Sequence, residues 1–329
     1  MRRARSVAHL CVALLGAGLS IATAVRAAEL PLYLMSGFTD FLGTNNARSE
    51  EKLRLWVSRD AQTWSPLATG WVYEDPHGAT GGNVRDPSIT WYGGAWWIAY
   101  TNDQVNGVTT PRWSLARSAD LIHWAWVADV STASVAGALN NWAPEFFTDA
   151  DGSLHVFLSI TTRPTVDNFR IYETHPTNPA DLTSWSPPAA LSGDGLPADA
   201  IDPFVTKKDG VYFVFWKDDA NMNLGVSSST SLTSGYRSVN PRITAERTNC
   251  EGPSVIPLSE GVWRLICDQR VDQGLRFTDA SDGFAAWTPL APVFGDRPAV
   301  WNHGTAIRIT DPAARATIEA VMAGAAPAP

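Results

Sequence analysis

The stretch AIDPFVTKKDGVYFVFWKDD, residues 200–219, places a carboxylate, Asp202, directly in front of an apolar run that reads as a buried β-strand. An ionised side chain taken out of water is costly unless something compensates it, so a core strand that opens on aspartate needs a reason. The same layout occurs upstream in VRDPSITWYGGAWWIAYTND, residues 84–103: Asp-Pro, a strand-like run, a Gly-containing turn, an aromatic-rich second strand, then polar residues. Recurrence of one strand–turn–strand unit is the mark of a repeat architecture.

Working outward, the segments VRDPSI, NNWAPEFF, AIDPFV, CEGPSV and WNHGTAI each enter an apolar strand through one polar or charged residue. With Asp86, Glu145, Asp202, Glu251 and His303 as markers, the intervals are 59, 57, 49 and 52 residues. A second repeat, SRDAQTW (58–64), SADLIHW (118–124), PADLTSW (179–185) and SDGFAAW (281–287), closes four of the units, with a weaker match at SLTSGYR (231–237). These segments resemble the Asp boxes of sialidases, and their place in outer turns argues for a structural role. Each unit then reads as four antiparallel strands, which is a propeller blade.

The chain ends complete the count. After His303 there is one good strand, GTAIRIT (304–310), while LYLMSGF (32–38) and LRLWVSRDAQTW (53–64) precede Asp86 without an inner strand to open them. The expected fold is all-β: a five-bladed β-propeller whose last blade is closed by N- and C-terminal strands, leaving no long unpaired edge. Residues 28–310 make up the propeller and 311–329 a short C-terminal tail, helical or frayed; no composition break argues for a second domain.

The N-terminus, MRRARSVAHLCVALLGAGLSIATAVRAAEL, has three early Arg, an Ala- and Leu-rich segment and small residues around Ala27. This is the pattern of a secretory signal peptide over residues 1–27; a membrane anchor is the competing reading, against which the Gly and Ser interruptions and the cleavage site speak. Removing four Arg and no acid takes the formal charge from −8 to −12, which leaves no footprint for nucleic acid. Cleavage also removes Cys11 and leaves Cys250 and Cys267, either a disulfide in an oxidising compartment or two buried thiols. Fifteen Trp suit a β-rich core or a sugar-stacking surface.

In a propeller the inner strands run side by side around a central tunnel, so the residues that begin them converge on one mouth. Asp86, Asp202 and Glu251 are therefore expected around one pocket, walled by the loops TNDQVNGVTTPR, ITTRPTVDNF, KDDANMN and DQRVDQG that follow the second strands. Converging carboxylates in an exported protein with aromatic neighbours and no nucleotide or redox motif point to glycoside hydrolysis. That chemistry needs two carboxyl groups in different protonation states, and like-charged neighbours with partial burial push such pKa values apart.

The set RDPSI, WAPEFF, IDPF, EGPS and HGT, in this order, resembles glycoside hydrolase family 43 and its five-bladed relatives, among them arabinanases, arabinofuranosidases and β-xylosidases, over about residues 30–310. The resemblance implies inversion with three acids: Asp86 in RDPSI as general base, Asp202 in IDPF as the residue that orients and tunes the acid, and Glu251 in EGPS as general acid. His303 in HGT matches the position facing the central channel, where some members hold a calcium ion through water; no cofactor is otherwise required. Glu145 departs from the residue common in relatives and is given a pocket or structural role.

Arg85, Trp142, Trp216, Arg270 and His303 are the expected substrate contacts, with Trp301 also by the mouth. The implied substrate is an oligo- or polysaccharide containing arabinose or xylose, cleaved by a secreted or periplasmic monomer that has no membrane contact after signal removal. Plainer readings stand beside these. Asp before Pro is a common turn element; Glu251 has Arg85, Arg270 and Arg276 as candidate ion-pair partners; each Trp could pack the core. A non-catalytic carbohydrate-binding propeller, a retaining fructan hydrolase and a polysaccharide lyase are the rival functions.

Overall fold

The computed structural model describes residues 29–38, 51–77, 84–102, 104–105, 108–109, 111–164, 167–245, 247–259, 261–269, 274–281, 283–295 and 302–324. The described residues from Pro31 onward belong to one compact unit; the expected signal peptide, 1–27, lies outside the described residues.

Five antiparallel sheets carry the architecture. Blade 1 runs outward from Arg85–Tyr92 through Ala95–Thr101 and Arg112–Ser118 to Trp124–Ser131. Blade 2 has Asn140–Thr148, Leu154–Thr161, Arg170–Thr174 and the short Ala189–Ala190, with a small hairpin, Pro176–Asn178 and Asp181–Trp185, in between. Blade 3 has Ala200–Lys208, Val211–Asp218, Asn223–Ser229 and Arg237–Asn240; blade 4 has Cys250–Ser259, Val262–Gln269, Gly274–Ala280 and Ala291–Pro292.

Blade 5 closes the ring as the chain-end count requires. Its inner strand, Ala306–Arg308, comes from the C-terminal side and pairs with Tyr33–Gly37 in the register Tyr33↔Arg308, Leu34↔Ile307 and Met35↔Ala306. Arg54–Ser58 and Thr63–Pro66 follow outward, and Phe294–Gly295 adds a parallel strand on the outside. Five clusters of buried side chains fill the seams between neighbouring blades. One joins Leu34, Leu55 and Val57 of blade 5 to Ile89, Trp96 and Ile98 of blade 1; another joins Tyr33, Met35 and Trp56 to Ile256, Ile266 and Phe277 of blade 4. Burial of apolar surface at each seam, on the order of 25 cal/mol per Å², therefore holds the ring shut with no covalent closure.

The outer turns explain the second repeat. Ser58 Oγ and Asp60 Oδ1 accept backbone N–H bonds from Ala61, Gln62 and Thr63, and Ser118 and Asp120 do the same for Leu121, Ile122 and His123. The indole Nε1–H of Trp124 then donates to the carbonyl of Leu121 at 2.9 Å. These side chains satisfy turn amides, which is a structural use.

Each of the first four inner strands is bulged where it meets the tunnel mouth. The register slips between Arg85 and Ser88, Trp142 and Glu145, Ile201 and Phe204, and Glu251 and Ser254. The residue before the proline in each has positive φ: Asp86 +48°, Ala143 +48°, Asp202 +53° and Gly252 +56°. A bulge re-aims a side chain out of the ladder, so Asp86 and Asp202 point at the mouth instead of into a seam. The register also corrects the marker alignment, because Gly252 and Ala143 occupy the position of the two aspartates. Glu251 stands one residue before that position and Glu145 two after it.

Asp311 caps a helix, Pro312–Met322, by accepting from the amides of Ala313 and Ala314, and Ala314 and Ile318 bury into the seam that contains Leu32 and Leu34. In blade 4, Cys250 and Cys267 form a disulfide with a Cα–Cα distance of 5.6 Å, tying the inner strand to the second strand beside Glu251. No helix among the described residues is long and apolar enough to cross a membrane.

Candidate active site

The described residues at the tunnel mouth enclose a cavity of about 200 Å³ lined by Arg85, Asp86, Thr101, Trp142, Ile201, Asp202, Asp219, Glu251 and His303. Blades 1 to 4 each contribute through the start of the inner strand, and His303 arrives from the segment leading into blade 5. The three acids named from the sequence are thus gathered by the topology.

Asp86 is fixed by blade 1 and its neighbour. Its Oδ2 accepts from Thr101 Oγ1 at 2.8 Å, and that hydroxyl in turn accepts from the amide of Ala143 at 2.8 Å. Its Oδ1 lies 3.3 Å from His303 Nε2. Asp202 is only 6% exposed, and its Oδ2 accepts from the amide of Gly252 at 3.0 Å, which links blade 3 to blade 4. Carboxylate oxygens of Asp202 and Glu251 and a ring nitrogen of His303 all lie within 4.8 Å of one another.

Glu251 pairs with the ammonium of Lys217, which also contacts Asp219 at 2.8 Å. Lys217, on the second strand of blade 3, is nearly fully buried. Burial opposes its charge, but the negative charges of Glu251, Asp202 and Asp219 outweigh that and raise its pKa. Burial pushes Asp202 up to about 6; His303 and Lys217 pull against that rise, and the charges of Glu251 and Asp86 add to it. For His303 burial disfavours the imidazolium, yet the surrounding carboxylates, Asp86 foremost, raise its pKa.

Below this layer Glu145 lines the tunnel with its Oε1 buried, and Thr305 donates to its Oε2. Burial pushes Glu145 up to about 8 against the hydrogen bonds from Thr305 and Ser88, so it is neutral at pH 7.

Arg85, Trp142 and His303 line the cavity as expected. Trp142 is backed by Phe169, with ring centroids 4.4 Å apart and 29° between planes, which fixes a flat aromatic surface. Trp216 is placed elsewhere. It is 3% exposed, packs in the seam between blades 2 and 3, donates from Nε1 to Ser227 Oγ at 3.1 Å, and covers Gly225 so closely that a Cβ there would fall 2.1 Å from the ring. Strand alternation explains the difference: consecutive side chains point to opposite faces, so Lys217 reaches Glu251 of blade 4 while Trp216 faces blade 2. Arg270 and Trp301 lie outside the described residues.

Lys217, Thr101 and Asp219 escaped the sequence reading. The signal was there in a lysine that ends the apolar run VYFVFWK, since a charge at the end of a buried second strand needs an anionic partner.

Between Asp86, Glu145, Asp202 and His303 the tunnel holds a cavity of about 10 Å³, room for about one water molecule.

The family model described as "Probable glycosyl hydrolase domain", related to glycosyl hydrolase family 43, matches residues 31–314. No curated protein matches the chain. Among solved structures, a thermostable family-43 glycoside hydrolase aligns at 15% identity over 83% of this chain and 93% of its own, with a TM-score of 0.58. An endo-arabinase from Bacteroides thetaiotaomicron aligns at 14% identity over 80% and 89%, with a TM-score of 0.53. An exo-β-1,3-galactanase from Clostridium thermocellum aligns at 15% identity over 64% of this chain, with a TM-score of 0.52, and the match spans about half (49%) of that protein. At these identities the likeness is one of fold.

Proposed function

Because the chain belongs to the glycosyl hydrolase family related to family 43 and is thereby a glycosidase, we propose that it cleaves arabinose- or xylose-containing glycosides by an inverting single displacement. The observation that carries this reading is the gathering of Asp86, Asp202 and Glu251, from three blades, around one cavity of about 200 Å³. That volume lies below the roughly 300–1,000 Å³ of pockets for drug-sized ligands and suits a single sugar ring.

In the proposed reaction Glu251 protonates the leaving glycosidic oxygen while Asp86, held by Thr101 and His303, takes a proton from water attacking the opposite face. Asp202, with a carboxylate oxygen within 4.8 Å of one of Glu251, is pushed up to about 6 by burial and by the neighbouring negative charges, and stands where it can orient and tune Glu251. Lys217, anchored by Asp219, supports the charge left on Glu251 after proton transfer. Arg85 and the Trp142 face orient the ring. The arabinose and xylose assignment follows the motif resemblance; the matching structures carry the names of an arabinofuranosidase from Lactobacillus brevis, an endo-1,4-β-xylanase from Bacteroides thetaiotaomicron and exo-β-1,3-galactanases alike, and do not choose between pentosides and galactosides. Export through the N-terminal segment and action as a monomer belong to the same proposal.

Nitrophenyl arabinofuranoside, xyloside, galactoside and a fructan should be screened with the wild type, Glu251→Gln and Asp86→Asn. The expected result is turnover of a pentoside, reduced about 10³-fold or more in kcat by each substitution with sugar binding retained. Turnover of the fructan alone would replace the substrate assignment, and a wild type that binds sugars without turnover would leave only a binding propeller.

A further inference from the structure

On blade 2, at the end of the strands remote from the mouth, three side chains share one face of the sheet. His155 is the second residue of the second strand, and Glu173 and His175 lie two residues apart on and just after the third, in the register that pairs Val156 with Thr174. Period-two alternation puts Glu173 and His175 on the same side. Glu173 Oε1 is 2.7 Å from His155 Nδ1 and 3.0 Å from His175 Nδ1, and the candidate ligand atoms of all three residues lie within 4.8 Å of one another. Glu173 is 4% exposed.

The surrounding hydrogen bonds assign the tautomer of His155. Ser153 Oγ donates to Asp151 Oδ1 at 2.6 Å, so at 2.9 Å from His155 Nε2 the same oxygen must accept. The ring therefore carries its proton on Nε2 and, when neutral, turns the Nδ1 lone pair toward a carboxylate oxygen. A lone pair and a carboxylate repel unless a positive charge lies between them, and His175 presents the same atom to the same oxygen. Two protons would be needed to satisfy both imidazoles; one divalent cation satisfies all three groups. The Asp151–Ser153–His155 relay has the form of the outer-shell carboxylate support common behind metal-binding histidines.

We propose that His155 Nδ1, His175 Nδ1 and Glu173 form a binding site for a divalent transition ion of the zinc class, on the face of the propeller opposite the active site. Two imidazole nitrogens and one carboxylate are a donor set for zinc, copper or nickel and not for calcium or magnesium. Around a tetrahedral ion with bonds of about 2.0–2.2 Å the ligand atoms stand roughly 3.4 Å apart, so the side chains open slightly from their present spacing. His175, with half of its side chain exposed, has the freedom to do so and leaves the fourth position to solvent. Metal entry displaces whatever protons sit on the two Nδ1 atoms.

The test is calorimetric titration of the full chain with zinc chloride, in millimolar calcium, for the wild type, His175→Ala, Glu173→Gln and His303→Ala. One zinc per chain is expected in the wild type and in His303→Ala, with affinity at least 10-fold weaker in His175→Ala and Glu173→Gln. Zinc should raise the melting temperature of the wild type and not that of His175→Ala, whose zinc-free melting and glycosidase activity should match the wild type. Cobalt should give the visible absorption of a tetrahedral site. No stoichiometric zinc in the wild type, or binding that survives His175→Ala and is lost in His303→Ala, would overturn the proposal, the latter by placing the ion in the active site.

Discussion

Gly252 lies directly under the imidazole of His303: a Cβ at Gly252 would stand 2.0 Å from His303 Cγ, at a backbone φ of +56°. The blade 4 inner strand therefore carries Gly where blades 1 and 3 carry Asp, and the acid of that blade moves one residue back to Glu251. Gly252→Ala should cost about 2–4 kcal/mol through overpacking and left-handed backbone strain. It should also displace His303 from Asp86 and lower kcat about 10-fold or more. Urea unfolding and steady-state kinetics on the same preparation measure both.

Asp202→Asn keeps an oxygen able to accept the Gly252 amide but removes the charge beside Glu251. The kcat should fall by about 10²–10³ with KM little changed. Asp202 titrates near 6 in the fold, so the wild-type kcat–pH profile should show a step in that region that the Asn variant lacks.

Glu145 gives a stability signature. Its folded pKa, about 8, lies above the ordinary 4.5, so its contribution is complete below about pH 4.5 and is lost as pH rises through 8. Wild-type stability should decline between pH 5 and 9 by on the order of a few kcal/mol from this group. Glu145→Gln, still able to accept from Thr305, should flatten the decline, and thermal melts across that pH range would show it. An unchanged slope in the variant would place the titration elsewhere.

The Cys250–Cys267 bridge spans 17 residues, which in the loop-entropy view stabilises by about 3 kcal/mol. Cys250→Ser/Cys267→Ser should lower the urea midpoint accordingly. Because Cys250 immediately precedes Glu251, activity should be lost before global unfolding, and parallel activity and circular dichroism curves in urea would separate the two.

The ring, its closure by both chain ends and the meeting of Asp86, Asp202 and Glu251 were legible because repeat spacing and strand direction depend on backbone pattern alone. The blade register was legible only to within two residues. The bulges before Pro87, Pro144, Pro203 and Pro253 are set by backbone angles that the letters do not display, so Glu145 and Glu251 passed for equivalents of the aspartates. Trp216 and Lys217 show the complementary failure. Both sit at the end of the same strand, and strand alternation sends Lys217 to Glu251 of blade 4 and Trp216 into the seam with blade 2. The sequence offers arginines as ion-pair partners of Glu251, and the fold supplies Lys217 from the second strand of the neighbouring blade 3.

The central claim, that three acids at one mouth carry out a single displacement, is tested most directly by proton NMR of the first product formed from the fastest-cleaved nitrophenyl glycoside. A reducing sugar whose anomeric configuration is opposite to that of the substrate is the expected result. A product that first appears with the configuration of the substrate would require a covalent intermediate and would contradict the roles assigned to Asp86 and Glu251.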